Sequence, residues 1–411
     1  MVVATPPRHF EHTLSNGLTI LAEPIPTARS VAVGLFVRTG SRDETPEING
    51  VSHFLEHMMF KGSDSRDAEA MNRIFDELGA RYNAFTTQEM TAYYAQVLPE
   101  FTEQVMEHLG HLLRPAIRNG DFDMEKQVIL EEISMYEDDP GHRIFERVMA
   151  EHFGKHQLGM SILGPAEAIK ALPRDAMAEY LRAHYGPRNM ILSVTGDFDF
   201  EQIKSLAEQY YGKWEPIGFE REYAQAGRHV GRTVMTDEKL NRQYLMAMMA
   251  GPSAQDESRF AARVLSDILG DGDNSRLYWA LVDPAIAEEA DFSTYPHDQT
   301  GSFVLSLVCN PGDEDKCLTI AREQIDQLAE TLTGEEVERS KNKLSGQSVL
   351  HGESVMGRMR AIGGGWIYNG RYRSLDQDLD ELMAVKKDDL LALIDRFPLG
   401  DMTIVTLGPK R

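Results

Sequence analysis

The sequence predicts an α+β protein built as two copies of one plan, each a mostly antiparallel β-sheet packed with helices. Three observations carry this. Apolar runs bounded by turn residues, such as Val31–Val37 (VAVGLFV) and Met190–Gly196 (MILSVTG), read as buried strands, with helical stretches between them. A similar order returns in the second half, where Gln243–Ala250 is an apolar strand, Ser258–Leu269 a helix, and Met402–Leu407 (MTIVTL) echoes MILSVTG. Between them, Trp214–Arg232 is polar, aperiodic and holds one Pro and three Gly, the composition of a linker. The expected division is residues 1–213, a linker at 214–232, and a homologous domain at 233–411.

The elements follow in order. From His9 to Arg38 the alternation in LTILAE and VAVGLFVRTG, with Asn16-Gly17 between strand-like runs, reads as a β-hairpin leading to a core strand. Ser41–Gly50 is polar and turn-rich, so the helix Val51–Phe60 begins straight after a loop. Ala68–Leu78 is a second helix ended by Gly79, and Tyr82–Val97 alternates as strands. Phe101–Leu113, Asp121–Tyr136, Arg143–His152, Pro173–His184 and Phe200–Tyr211 read as further helices.

Composition narrows the function. The 411 residues, 42% hydrophobic and 26% charged, suit an ordinary soluble protein of two or three domains. A net charge of −23 argues against nucleic acid, whose phosphates need a basic patch. MVVATPPRHF lacks the basic start and apolar core of a signal sequence, and no apolar run of about 20 residues offers a membrane span. With Cys309 and Cys317 the only cysteines, a cytoplasmic location with reduced thiols is expected.

The chemistry lies in VSHFLEHMMF. His53, Glu56 and His57 have the spacing His-x-x-Glu-His, and on a helix residues four apart share a face, so two imidazoles can bind one cation. Catalytic zinc takes three nitrogen or oxygen ligands and keeps a position for water, which a neighbouring carboxylate deprotonates. Glu56 suits that base, in the inverse of the commoner His-Glu-x-x-His order. A third ligand is offered by DFDMEKQVILEEISMY, with Val128, Ile129, Ile133 and Tyr136 as its apolar stripe. Glu125 and Glu132, seven apart, share a face with Val128 and Ile129, while Glu131 points about 100° away. An inward carboxylate is costly unless paired or metal-bound, so Glu132 reads as the ligand and Glu125 as partner of a histidine N–H. Taken alone, the same helix also reads as an acidic amphipathic helix with a solvated face.

These residues resemble a known family. HFLEHMMFKG, LGARYNAFTTQEMTAYYAQVLPE (Leu78–Glu100) and VILEEI, with the opening SNGLTILAEPIPTARSVAVGLFVRTGSRDE, look like the pitrilysin-type zinc metallopeptidases, which include insulysin and the mitochondrial processing peptidase. The resemblance implies zinc (Zn2+) held by His53, His57 and Glu132, Glu56 as general base, and Glu125 in support. It implies that a strand at Asn83, Ala84 and Phe85 pairs with substrate, where the residues alone read as a turn-to-strand junction. It also implies four domains around a chamber, so this two-domain chain is expected to dimerise, with itself or with a related subunit. The helix Ser258–Leu269 has no histidine, so only the first domain is expected to carry metal.

One departure stands out. The family's second half usually carries an Arg and, seven residues on, a Tyr that assist in holding substrate, but counting from Ser275 in GDGDNSRLYWALVDPAIAEEA gives Val282 and Glu289. Either a sister subunit supplies the pair, or Arg276 with Tyr278 or Tyr295 replaces it. A non-peptidase hydrolase or lyase, an inactive core-subunit role and a peptide clamp are the other classes. A lyase with this motif takes a Cys as third ligand and no Cys precedes position 309, and the intact motif speaks against the core-subunit role. Gly363-Gly364-Gly365-Trp366 is expected to be a hinge or close-packing site, and Gly312–Lys316 (GDEDK) a solvated turn.

Overall fold

A computed structural model describes residues 9–224 and 226–410. The first half runs β1 (Phe10–Thr13), β2 (Thr19–Pro24), β3 (Val31–Val37), α1 (Val51–Met59), α2 (Ala68–Glu77), β4 (Arg81–Thr86), β5 (Thr91–Val97), α3 (Thr102–Leu112), α4 (Asn119–Glu137), α5 (Pro140–Phe153), α6 (Ala166–Ala171), α7 (Arg174–His184), β6 (Met190–Gly196) and α8 (Phe200–Tyr211). The second runs β7 (Gly231–Thr236), β8 (Gln243–Ala250), α9 (Arg259–Gly270), β9 (Ala287–His297), β10 (Thr300–Cys309), α10 (Glu314–Asp326), α11 (Leu328–Thr331), α12 (Gly334–Gly352), α13 (Val355–Asn369), α14 (Leu375–Ala384), α15 (Lys387–Arg396) and β11 (Thr403–Gly408). No helix among the described residues is long and apolar enough to cross a membrane.

Two sheets of one topology result. The first has the order β1-β2-β6-β3-β5-β4 and the second β7-β11-β8-β10-β9. In each, one parallel pair (β2 with β6, β7 with β11) sits beside a run of antiparallel pairs, so the sheets are mixed rather than wholly antiparallel. The expected repeat is therefore present strand for strand, with β1 added to the first sheet.

The compact units do not follow contiguous halves of the chain. The first comprises residues 1–133, 161–222 and 349–374, the second 134–160, 223–348 and 375–411. Helix α5 of the first half packs on β8 and β11, and α13 of the second half packs on β3 and β6. Each sheet is thus covered on both faces. Every residue of β3 is buried, which is why VAVGLFV reads as an unbroken apolar run. Val31, Val33 and Leu35 join the core under α1 and α3, whereas Ala32 and Phe36 meet Met359 and Ile362 of α13.

The glycine run of α13 is a close-packing site. A Cβ on Gly363 would lie 2.4 Å from the Phe36 ring, while one on Gly365 would meet nothing within 4 Å. The GDEDK stretch is a turn at Gly312 leading into α10, with Glu314 buried rather than solvated.

In α4 the apolar stripe differs from the expected one. Phe122, Ile129 and Ile133 are buried together with Glu125, but Val128 and Tyr136 are exposed, because the core meets a face spaced by three and four from Phe122.

Candidate metal centre

Helix α1 is amphipathic around its chemistry. Val51, Phe54, Leu55, Met58 and Met59 recur at the spacing of a buried helical face, leaving His53, Glu56 and His57 half-buried together on the other. Its start is fixed by Gly50, whose φ of 95° and closeness to the Leu163 carbonyl, 2.4 Å from any added Cβ, admit only glycine. Buried Glu44 accepts from the backbone N–H groups of Gly50 at 2.7 Å and Ser52 at 2.8 Å, and from the Asn49 amide at 2.9 Å. Burial pushes the Glu44 carboxyl up, against the pull of these bonds. It does for α1 what a capping side chain does elsewhere.

Helix α4 brings its carboxylates to this face. Glu132 sets Oε1 3.8 Å from His53 Nε2 and Oε2 3.5 Å from His57 Nε2. Glu125 Oε1 lies 2.8 Å from His57 Nδ1, and its Oε2 pairs with Lys61 Nζ at 2.5 Å. The more buried carboxylate is Glu125, at 4% exposure against 25% for Glu132. What sets Glu132 apart is that it faces both imidazoles.

The donor set fits zinc. One ligand atom from each of His53, His57 and Glu132 lies within 4.8 Å of the others, and among the described residues no other trio of His, Cys, Asp or Glu is so gathered. Four-coordinate zinc with bonds of about 2.0–2.1 Å places neighbouring donors about 3.3 Å apart, close to the 3.5 and 3.8 Å seen here. The bond from Glu125 selects the His57 tautomer with hydrogen on Nδ1, leaving Nε2 for a cation. The buried Nδ1 of His53 has no partner among the described residues.

Glu56 stands beside this trio. Its Oε2 accepts from the Thr86 hydroxyl at 2.6 Å, at the end of β4. Burial raises the Glu56 carboxyl above its usual range and the charge of Glu132 adds to this, while Thr86 and His57 pull it down. Burial also lowers His53 to about 3, with the neighbouring His57 reinforcing it, so the ring is neutral, the form that binds metal. For His57, burial pulls down, yet Glu125, Glu132 and Glu56 together hold the ring up.

The edge strand β4 carries Asn83, Ala84 and Phe85. Among the described residues it pairs only with β5, and its other side has no strand neighbour. Thr86 and Lys61 escaped the sequence reading. Lys61 was legible only as the first cation after His57, in the turn just past the end of α1; Thr86 was not, since only pairing with β5 directs its hydroxyl to α1. The substitutes considered for the missing Arg and Tyr have partners within the second unit: Arg276 binds Glu336 and Thr331, Tyr278 lies edge-on to Trp279, and Tyr295 packs on Phe145 and His297. Val282 is half-buried in a single π-turn and Glu289 is exposed on β9.

Known proteins resemble the chain along most of its length. Residues 19–166 match the family described as Insulinase (Peptidase family M16), and residues 171–344 the Peptidase M16 inactive domain. An uncharacterized zinc protease of Streptomyces coelicolor is 32% identical, over 97% of this chain and 89% of its own. The uncharacterized zinc protease YmxG of Bacillus subtilis is also 32% identical, over 97% of this chain and 98% of its own. A protease from Helicobacter pylori has the same fold, with a TM-score of 0.92 at 19% identity, covering 98% of this chain and all of that one. On these matches, and with two histidines and a glutamate converging as they do, the chain belongs to peptidase family M16.

Proposed function

We propose that the protein is a zinc-dependent endopeptidase acting on peptides or small unfolded proteins. The observation that carries this is Glu56, positioned by Thr86 beside the His53, His57 and Glu132 cluster. Bound by that cluster, zinc supplies a Lewis acid for the scissile carbonyl and lowers the pKa of water to about 7. Glu56 takes the proton of the attacking water and returns it to the departing amine, a task that suits a carboxyl raised by burial. Thr86 orients that carboxylate, and Glu125 holds His57 in the metal-binding tautomer.

The open edge at Asn83, Ala84 and Phe85 takes the peptide as an added strand, running its backbone past Thr86 toward Glu56. Main-chain pairing of this kind gives affinity with little dependence on sequence. The working form is a dimer that encloses its substrate, either of this chain or with a related subunit.

A second reading is favoured by one observation. Val282 and Glu289 stand where Arg and Tyr are expected, and Arg276 is held by Glu336. On that reading the chain binds zinc but needs a sister subunit carrying the pair, because such a donor is worth a factor of about 100 to 1,000 in rate. Peptide cleavage by the protein alone, with zinc content measured on the same sample and Glu56→Gln as control, separates the two. Cleavage lost in Glu56→Gln with zinc retained supports a self-sufficient peptidase; zinc without cleavage supports the sister subunit; neither zinc nor cleavage refutes both.

A further inference from the structure

One face of β4 is turned toward α13 and away from the metal centre, and it carries an unneutralised cation. Phe85 lies on that face with Tyr94 of β5, in the cluster that Phe36, Met90 and Met359 build. Arg360, exposed on α13, holds its guanidinium carbon 5.2 Å from the centroid of Phe85 and 5.5 Å from that of Tyr94. Buried arginines of the same unit face carboxylates: Arg42 pairs with Glu89, Arg221 with Asp43 and Arg358 with Glu23. Arg360 has no carboxylate partner among the described residues and is fixed by the two rings alone.

A peptide strand added to β4 turns its side chains alternately to the two faces of the sheet. The residue directly opposite Phe85 shares its face, with Cβ atoms about 4.5–5.5 Å apart, which puts that side chain beside the guanidinium. Its neighbours in the peptide point the other way, toward α1, where Thr86 meets Glu56.

We infer that Arg360, seated on Phe85 and Tyr94, is a specificity-determining residue that selects an acidic side chain on the peptide residue paired with Phe85. This rests on the reading of β4 as the peptide-docking edge of a zinc peptidase. A carboxylate accepts one or two parallel N–H bonds from a guanidinium. Ring stacking holds the guanidinium in place beforehand, so less freedom is lost when the carboxylate arrives. A chain-end carboxylate has the same chemistry, and capping both ends of the peptide separates it from a side chain.

The test uses the full-length, zinc-loaded protein and capped fluorogenic peptides in which Glu, Gln or Lys is walked through every position. At one position kcat/KM for Glu should exceed that for Gln by roughly fivefold, with Lys below both. In Arg360→Met the Glu-to-Gln ratio should fall to about one, in Arg360→Glu the order should reverse in favour of Lys, and Arg360→Lys should keep part of the preference. Anisotropy of the same peptides on Glu56→Gln protein, with and without Arg360→Met, reads the preference without turnover. Cleavage with a ratio near one at every position, or a ratio that survives Arg360→Met, overturns the inference and leaves the peptidase standing. No cleavage, with an Arg360-dependent acidic preference in binding, upholds the inference and counts against self-sufficient catalysis. No cleavage and no preference in binding overturns it as well.

Discussion

Glu125→Gln removes one negative charge from behind the metal centre while keeping the shape of the side chain. In the native arrangement its two oxygens meet His57 Nδ1 at 2.8 Å and Lys61 Nζ at 2.5 Å. Burial alone would raise this carboxyl, but His57 and Lys61 hold it below its usual range, so it is ionised. Glutamine still accepts from His57, so the tautomer survives and only the charge is lost. A charge-assisted bond contributes about 1.5–3 kcal/mol and a neutral one about 0.5–1.5, which puts the loss at ~1–1.5 kcal/mol at His57. The Lys61 ammonium, then without its counter-charge beside a site for a dication, adds to it. Together these imply zinc affinity weaker by about ten- to a hundredfold, the range typical when the partner of a ligand histidine is lost.

The assay is competition for zinc against a chelating dye at fixed pH, with thermal unfolding as a control for the buried site. Lys61→Met discriminates, since it removes a competing cation and should leave affinity unchanged or slightly higher. A Glu125→Gln affinity within threefold of the parent would refute the electrostatic account. So would an equal loss in Lys61→Met, which would mark general disturbance of the site.

Two further predictions concern stability. Gly363→Leu drives a side chain into the buried Phe36 ring and should cost roughly 2–3 kcal/mol, whereas Gly365→Ala, with open space around it, should stabilise α13 by about 0.5–1 kcal/mol; opposite shifts in the melting temperature check both. Glu336 is driven up by burial, but its bonds to Arg276 and Thr333 outweigh that and hold it at about 2, below its ordinary 4.5. Its contribution, ~1–2 kcal/mol after allowance for partial exposure, is present above the unfolded value and is lost as pH falls from about 4.5 toward 2. Glu336→Gln should therefore flatten the acid limb of the stability curve in that window, and an unchanged limb in acid titrations would contradict it.

How much of this was legible in the sequence depends on what each signal encodes. Strands buried on both faces announce themselves, and Met190–Gly196 and Gln243–Ala250 occur with the boundaries expected of them. The zinc-type spacing on α1 needs only helical geometry, so His53, Glu56 and His57 were readable together. The assignment of α5 and α13 to sheets was not. An amphipathic helix shows that it has an apolar face but not which sheet will cover it, and here each of these two packs on the sheet built from the other half of the chain. Glu44 was missed for a related reason: in a polar loop a carboxylate that caps a distant backbone N–H looks like any solvated charge. The stripe of α4 failed at Val128, whose hydrophobicity says nothing about whether a neighbour is present to bury it.

The two copies differ in how the helix that follows β3 or its counterpart β8 is tied to the long helix. In the first, α1 and α4 face each other through two imidazoles and Glu132, an arrangement that suits a bound dication. In the second, α9 and α12 meet through buried Asp267 and Lys343, whose Oδ1 and Nζ are 2.7 Å apart, with Ser340 donating to the Val264 carbonyl nearby. Here the cation belongs to a side chain, so the second copy keeps a charged bridge between helices where its described residues hold no metal trio. Lys343→Met should then strand the Asp267 carboxylate and destabilise the protein by about 2 kcal/mol, less than a wholly buried pair because Lys343 is 37% exposed. Adding Asp267→Asn should recover most of that loss, since the stranded charge rather than the missing attraction is the main cost. Chemical denaturation of the two single variants and the double variant measures the coupling. Additive losses would mean that the two side chains are energetically uncoupled and that this pair does not tie α9 to α12.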